Sequence, residues 1–254
     1  MLKTAIEAAR QVGQILLGEF RKPQEISFKG LRDIVTKTDL AAQAQAIEII
    51  RSRYPDHDTW AEEVGQTPDG ASDYCWIIDP LDGTTNYSRG FPCFSVSIAL
   101  SHRGELILGV VYDPLRDQLF RAQRGQGAYL NDDRIQVSAA ERLMDAVVGL
   151  DWAREQELRS QMAQLVAEIA PGVWTLRSMG SAALALCSVA AGWTDAYFHL
   201  SLKPWDVAAG SVIIQEAAGA ISDLAGRPWI PGSGDCLASN GLIHETMLNL
   251  LTET

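Results

Sequence analysis

The run Trp76-Ile77-Ile78-Asp79-Pro80-Leu81-Asp82-Gly83-Thr84-Thr85 leaves an apolar stretch and at once gathers two carboxylates and two hydroxyls. Asp79 ends a buried strand, the position where ligand sites of layered α/β proteins tend to lie. Pro80 has no N–H to give to a ladder and is read as the strand's end, and Gly83 allows a sharp turn. Thr84 and Thr85 then stand near a helix start or tight nest, whose outward N–H groups favour an anion such as phosphate. Two carboxylates beside a phosphate repel it, and no lysine or arginine occurs between Asp79 and Tyr87. The compensating charge must then come from cations, and hard oxygen ligands suit Mg²⁺.

Two more acidic stations extend the pattern. Glu62 and Glu63 follow Asp58-Thr59-Trp60 at the end of a short strand, and Asp206 opens an apolar helix in Lys203-Pro204-Trp205-Asp206-Val207. Each has an ordinary reading alone, a solvated strand end or a helix cap. Together, strand-end acids and a helix-start acid are what a site for two or three metal ions needs.

The elements that must position these groups are legible from periodicity. Residues 3 to 20 are predicted as an amphipathic helix with Ile6, Ala9, Val12, Ile15 and Leu16 on one face. Residues 28 to 37 are predicted as irregular, with Lys29-Gly30 the flexible point, and a second helix begins near Asp39 as cap or first-turn acid. From Phe94 onward short strands are punctuated by Arg103-Gly104, Asp113-Pro114 and Asn131-Asp132. After a helix ending at Pro171-Gly172, strands and helices alternate to the C-terminus. The expectation is a layered α/β protein over residues 1–254, a single domain of two sub-halves meeting near residue 145.

These segments carry a resemblance. "WAEEVG", "WIIDPLDGTTNYSRGFPCFSVSIAL" and "KPWDVAAGSVIIQEAAGA" resemble the signatures of the inositol monophosphatase family of Mg²⁺-dependent, lithium-sensitive phosphatases, and "DIVTKTDLAAQ", "GAYLNDDRIQVS" and "RSMGSAALALCSVAAGWTDAYF" extend the likeness. The resemblance implies an alternating αβαβα sandwich of the sugar-phosphatase type, commonly a homodimer. It implies metal ligation by Glu62, Asp79, the Leu81 carbonyl, Asp82 and Asp206, with Asp79 bridging two ions. Thr84, Asp39 and Glu62 match the group that orients and deprotonates the attacking water. Gly83 and Thr84, with Asp82, match the phosphate cradle, and Gly180, Ser181 and Ala182 match the wall facing the alcohol part of the substrate. Lys29 falls near the family's mobile-loop lysine, with a spacing one residue shorter. His199 stands where many relatives carry glutamate, and is expected to contact sugar or second-phosphate oxygens that a glutamate would repel.

The implied reaction is hydrolysis of a small polyol or sugar phosphate by in-line attack of metal-activated water. Inositol monophosphate is the leading substrate, with fructose 1,6-bisphosphate, histidinol phosphate and a 3′-phosphonucleotide as rivals. A reading of a different class is a regulatory protein-binding module with secondary catalysis. The 254 residues carry a formal charge of −11 and 47% hydrophobic residues, enough for a substantial core and unsuited to a nucleic-acid partner. The four cysteines are scattered without a CxxC pair, which fits reduced thiols in a cytoplasmic protein. Glutamate and arginine interrupt the N-terminal apolar pattern, so neither a signal peptide nor a membrane span is expected.

Overall fold

The computed structural model describes residues 1–63 and 70–252. The Val64-Gly65 end of the first signature segment and the last two residues lie outside the described residues. Along the chain run α1 (Leu2–Glu19), β1 (Ile26–Gly30), β2 (Asp33–Thr36), α2 (Lys37–Arg53), β3 (Asp58–Ala61), β4 (Tyr74–Asp82) and α3 (Thr84–Ser88). Next come β5 (Ser95–His102), β6 (Glu105–Asp113), β7 (Gln118–Gln123), β8 (Ala128–Leu130), β9 (Asp133–Ile135), β10 (Val147–Leu150) and α4 (Gln156–Ile169). The chain closes with β11 (Thr175–Arg177), α5 (Ala182–Ala190), β12 (Ala196–His199), α6 (Pro204–Glu216), β13 (Ala220–Ser222), β14 (Cys236–Ser239) and α7 (His244–Thr252).

Strands β3 to β9 form a seven-stranded sheet in sequence order, and β11-β10-β12-β14-β13 form a second sheet of five. Side-chain alternation along each strand feeds two cores at once. Trp76 and Ile78 of β4 pack under α1 and α2, while Ile77 faces α5 and α6 on the opposite side. In the second sheet Tyr197 joins that central layer, whereas Ala196 and Phe198 meet α4 and α7 outside. The order of layers is therefore helices, sheet, helices, sheet, helices. The central pair approaches the first sheet closely: a Cβ on Gly109 of β6 would collide with the Ala209 carbonyl of α6 and stand 2.9 Å from its Cα.

Two sequence expectations are corrected. The stretch expected to be irregular over 28 to 37 lies mostly in an antiparallel hairpin of residues 26 to 36, β1 against β2 with Gly30 opposite Asp33, turned by Arg32 at a left-handed φ of 58°. Every residue of β1 is exposed and β2 is only half-buried up to Thr36, so no apolar alternation marks the hairpin in the sequence. Strand β4 does not stop at Asp79-Pro80; it resumes at Asp82, with Asp79 opposite Ser97 and Asp82 opposite Ser95. Pro80 and Leu81 thus face one partner residue, a bulge where the missing proline N–H costs no ladder bond. Helix α2 starts at Lys37 with Thr36 as its cap, and Asp39 is its first-turn acid as expected, in a reciprocal capping box. Strands β9 and β14 had no counterpart in the sequence reading.

Candidate active site

The bulge in β4 aims its acids into a cavity of about 560 Å³. One carboxylate oxygen each from Asp79, Asp82 and Asp206 lies within 4.8 Å of the others. Each is positioned from its backbone. Asp79 Oδ1 accepts the Leu81 N–H at 2.9 Å, closing the bulge on itself. Asp206 sits in the first turn of α6 and accepts the Lys203 N–H at 2.7 Å. Asp82 is gripped by the start of α5, with N–H bonds from Ala182 (3.2 Å) and Ala183 (3.0 Å), the Ser181 hydroxyl, and Ser95 Oγ at 3.3 Å. Gly83 takes φ 93°, and a Cβ there would stand 3.0 Å from the Cys93 carbonyl and 3.1 Å from that of Gly180. Only glycine turns the chain from Asp82 into α3 at this approach.

Burial holds these acids above the usual carboxylate range. Asp79 is pushed well up by burial, and then by the neighbouring charges of Glu62, Asp82 and Asp206. Burial followed by Glu62 and Asp82 raises Asp206 to about 8. Asp82 rises to about 6 through burial, against the hydrogen bonds from Ser181 and Ala183. Among the described residues no lysine or arginine forms an ion pair with any of the three. Buried carboxylates that repel one another and lack a basic partner are a donor set fitted to a hard divalent cation.

Glu62 is handled differently. It lines the same cavity, but its Oε1 accepts Lys29 Nζ at 2.8 Å, and the same ammonium reaches Glu63 at 3.0 Å. The central motif thus has no lysine partner, whereas Glu62 is paired with Lys29. Burial opposes the charge on Lys29, but the two glutamates outweigh it and hold the ammonium above its ordinary range. Asp39 is fully buried, accepts the Thr36 N–H at 2.9 Å, and receives the Thr84 hydroxyl at 3.1 Å on its other oxygen. The Leu81 carbonyl lies 3.1 Å from the same hydroxyl.

Two residues expected to contact substrate, Ser181 and His199, make hydrogen bonds within the protein. Ser181 is 1% exposed, and its hydroxyl is engaged with Asp82 while also capping α5 through Leu184 N–H. It holds a carboxylate in place; Gly180 and Ala182 face the cavity beside it. His199 lines the cavity, and its Nδ1 accepts the Ser201 N–H at 2.9 Å. Burial lowers it to about 4, so it is neutral at pH 7.

Sequence reasoning passed over Asp151 and Asn86. Asp151 accepts Gly180 N–H at 2.7 Å, Ser178 Oγ at 2.9 Å and Tyr197 OH at 3.3 Å. It directly follows β10, the same strand-end signal that marked Asp79. Asn86 Nδ2 lies near the carbonyls of Cys93 (2.9 Å) and Met179 (2.8 Å), tying α3 to the cavity wall; nothing in its spacing announces this.

Layering and acidic floor together define a phosphatase fold. The chain belongs to the Inositol monophosphatase family, which matches residues 1–254. It is 41% identical over 254 residues to the Nus factor SuhB of Haemophilus influenzae, covering 98% of this chain and 94% of that protein. The inositol monophosphatase of Anabaena superposes with a TM-score of 0.89 at 36% identity, over 100% of this chain and 95% of the other. The IMPase of Thermotoga maritima gives 0.92 at 34% identity, over 99% and 96%. An IMPase/NADP phosphatase solved with Mg²⁺ and phosphate gives 0.85 at 25% identity, over 96% and 92%.

Proposed function

We propose that this protein is a Mg²⁺-dependent phosphomonoesterase of small polyol or sugar phosphates, with inositol monophosphate the leading substrate. The observation that carries this reading is the Asp79–Asp82–Asp206 cluster, its first two acids buried and the third half-buried, in the cavity that Thr84, hydrogen-bonded to Asp39, also lines. In this reading Asp79, Asp82, Asp206, Glu62 and the Leu81 carbonyl hold two or three Mg²⁺ ions. Bound there, the ions would acidify water, draw charge from the phosphoryl oxygens and stabilise the departing alkoxide.

The chain's own groups do the rest. Thr84 carries one hydroxyl proton, and donation to Asp39 leaves its lone pairs free to accept a proton from attacking water. Burial raises Asp39 above the usual carboxylate range, which makes it a better acceptor for that proton. Glu62 orients the water, Gly83 and Thr84 N–H groups hold phosphoryl oxygens beside Asp82, and Gly180 and Ala182 meet the alcohol part. Displacement of Lys29 from Glu62 accompanies ion binding at that station. Residues 1–254 act as one domain, in a lithium-sensitive homodimer in the cytoplasm. No helix among the described residues is long and apolar enough to cross a membrane.

The test is phosphate release from inositol monophosphate, fructose 1,6-bisphosphate and histidinol phosphate. Activity is expected to vanish in EDTA, return with Mg²⁺, and be lost in Asp79→Asn. Full turnover in EDTA would sink the reading. The relatives named Nus factors, at 39% to 42% identity, favour a second reading as a regulatory binding protein with secondary catalysis. If the Asp79→Asn chain, inactive as a phosphatase, fully restores growth or regulation to cells lacking the gene, the second reading replaces the first.

A further inference from the structure

The chain has 32 acidic and 21 basic residues, yet Arg32, Arg89, Arg154, Arg159 and Lys203 all line the one cavity whose floor is acidic. Three of these cations share a wall built on the segment that follows β10. Arg32, at the hairpin turn, donates to the Arg154 carbonyl at 2.9 Å and to Gln156 Oε1 at 2.8 Å. Arg159 donates to the Ala153 carbonyl at 3.2 Å and lies 5.1 Å from the centre of the Trp152 ring. Arg154 pairs with Asp33 at 2.8 Å. Arg32 and Arg159 are thus held by neutral groups, which orient each guanidinium without cancelling its charge. Asp151 and Glu155 also line the cavity, so with Asp33 the wall carries three acids against three arginines, but among the described residues the one ion pair between them is that of Arg154 with Asp33.

The scissile phosphoryl group belongs at the opposite end, over Asp79, Asp82 and Asp206. Among the described residues neither Arg32 nor Arg159 has an ion-pair partner; both are held by neutral groups. An uncharged polyol would cover oriented guanidiniums and leave them without a counter-anion, which is unfavourable on desolvation. A second anion on the alcohol part would satisfy them, since guanidinium recognises phosphate and carboxylate through charge-assisted, geometrically matched bonds. Resting on the phosphatase reading for the position of the scissile group, we infer that Arg32, Arg154 and Arg159 form a subsite for a second anionic group. The substrate class is a sugar or polyol phosphate bearing another phosphate or a carboxylate.

The probes are fructose 1,6-bisphosphate and fructose 1-phosphate, which differ only in the second phosphate. Wild-type kcat/KM is expected to favour the bisphosphate by about tenfold or more, the scale of one or two charge-assisted hydrogen bonds. In the double variant Arg32→Gln, Arg159→Gln that preference should fall by about tenfold, chiefly through KM. Arg154 is left in place because it anchors the hairpin through Asp33. Calorimetric Kd values for both sugars, on the Asp39→Asn chain with Mg²⁺, read the subsite without turnover. A bisphosphate preference of one or below, or one the double variant leaves unchanged in both kcat/KM and Kd, overturns the inference. No phosphate release from either sugar, from inositol monophosphate or from histidinol phosphate, with a Kd difference that the double variant removes, would sink the phosphatase reading and support the subsite.

Discussion

Thr84 has one proton and two acceptors, Asp39 Oδ1 and the Leu81 carbonyl, each 3.1 Å away. Whichever accepts decides whether the hydroxyl can serve as a relay, so its contribution belongs to the transition state rather than to binding. Thr84→Ser retains the hydroxyl and is expected to keep most activity. Thr84→Val keeps the shape, loses the proton, and should lower kcat by about 10²–10⁴-fold, the range of general-base assistance. Asp39→Asn should match it, and the double variant should cost little more than either single change. Because Asp39 also completes the α2 capping box, its variant should lose about 1 kcal/mol of stability, read separately by denaturant melts. Multiplying kinetic losses would mean that the two groups act independently.

At the scale of elements, two packing devices set the site. The first is the contact of β6 with α6, where a Cβ on Gly109 meets Ala209 backbone at 2.9 Å. Gly109→Ala must push apart the sheet that carries Asp79 and the helix that carries Asp206. A loss of about 1–3 kcal/mol is expected from overpacking, and a variant as stable as wild type in urea titration would contradict that contact. The second is the start of α5, whose Ser181 both caps the helix and binds Asp82. Ser181→Ala should cost about 1–2 kcal/mol as a lost cap with a weakened buried carboxylate. Calorimetry should show weaker Mg²⁺ binding, with substrate KM at saturating Mg²⁺ nearly unchanged. Tighter Mg²⁺ binding would mean that Ser181 competes with the ion rather than positioning its ligand.

For the whole molecule, the acidic floor makes stability depend on pH in a direction opposite to that of a paired carboxylate. The folded protein raises Asp82 to about 6 and Asp206 to about 8, and Asp79 well above its ordinary value. Folding therefore binds protons more tightly than the unfolded chain does. That stabilisation is present below the unfolded carboxylate range and is lost as pH rises through the folded values. Without metal, Tm should fall between about pH 5 and pH 8.5 as the floor ionises. Added Mg²⁺ replaces those protons, so its Tm increment should grow over the same interval. An increment that is constant with pH would mean that the ions do not bind at these acids.

How much was legible divides along physical lines. The bound acids, the glycine turn and the helix-start Asp206 are local features, each dictated by a residue and its immediate neighbours, and the sequence alone determined them. So were the buried strands and amphipathic helices, because burial on one face writes a period into the chain. Strand β1 is exposed throughout and left no such period. The engagement of Lys29 with Glu62 and of Ser181 with Asp82 depends on groups far apart in sequence. So does the arginine wall, which joins a hairpin turn to the segment before α4 through bonds to Arg154 and Gln156. Residue type says what a side chain can bind, but which partner reaches it first is decided by the packing of layers. That is why the acids could be named from the sequence, while their neighbours' roles had to wait for the tertiary structure.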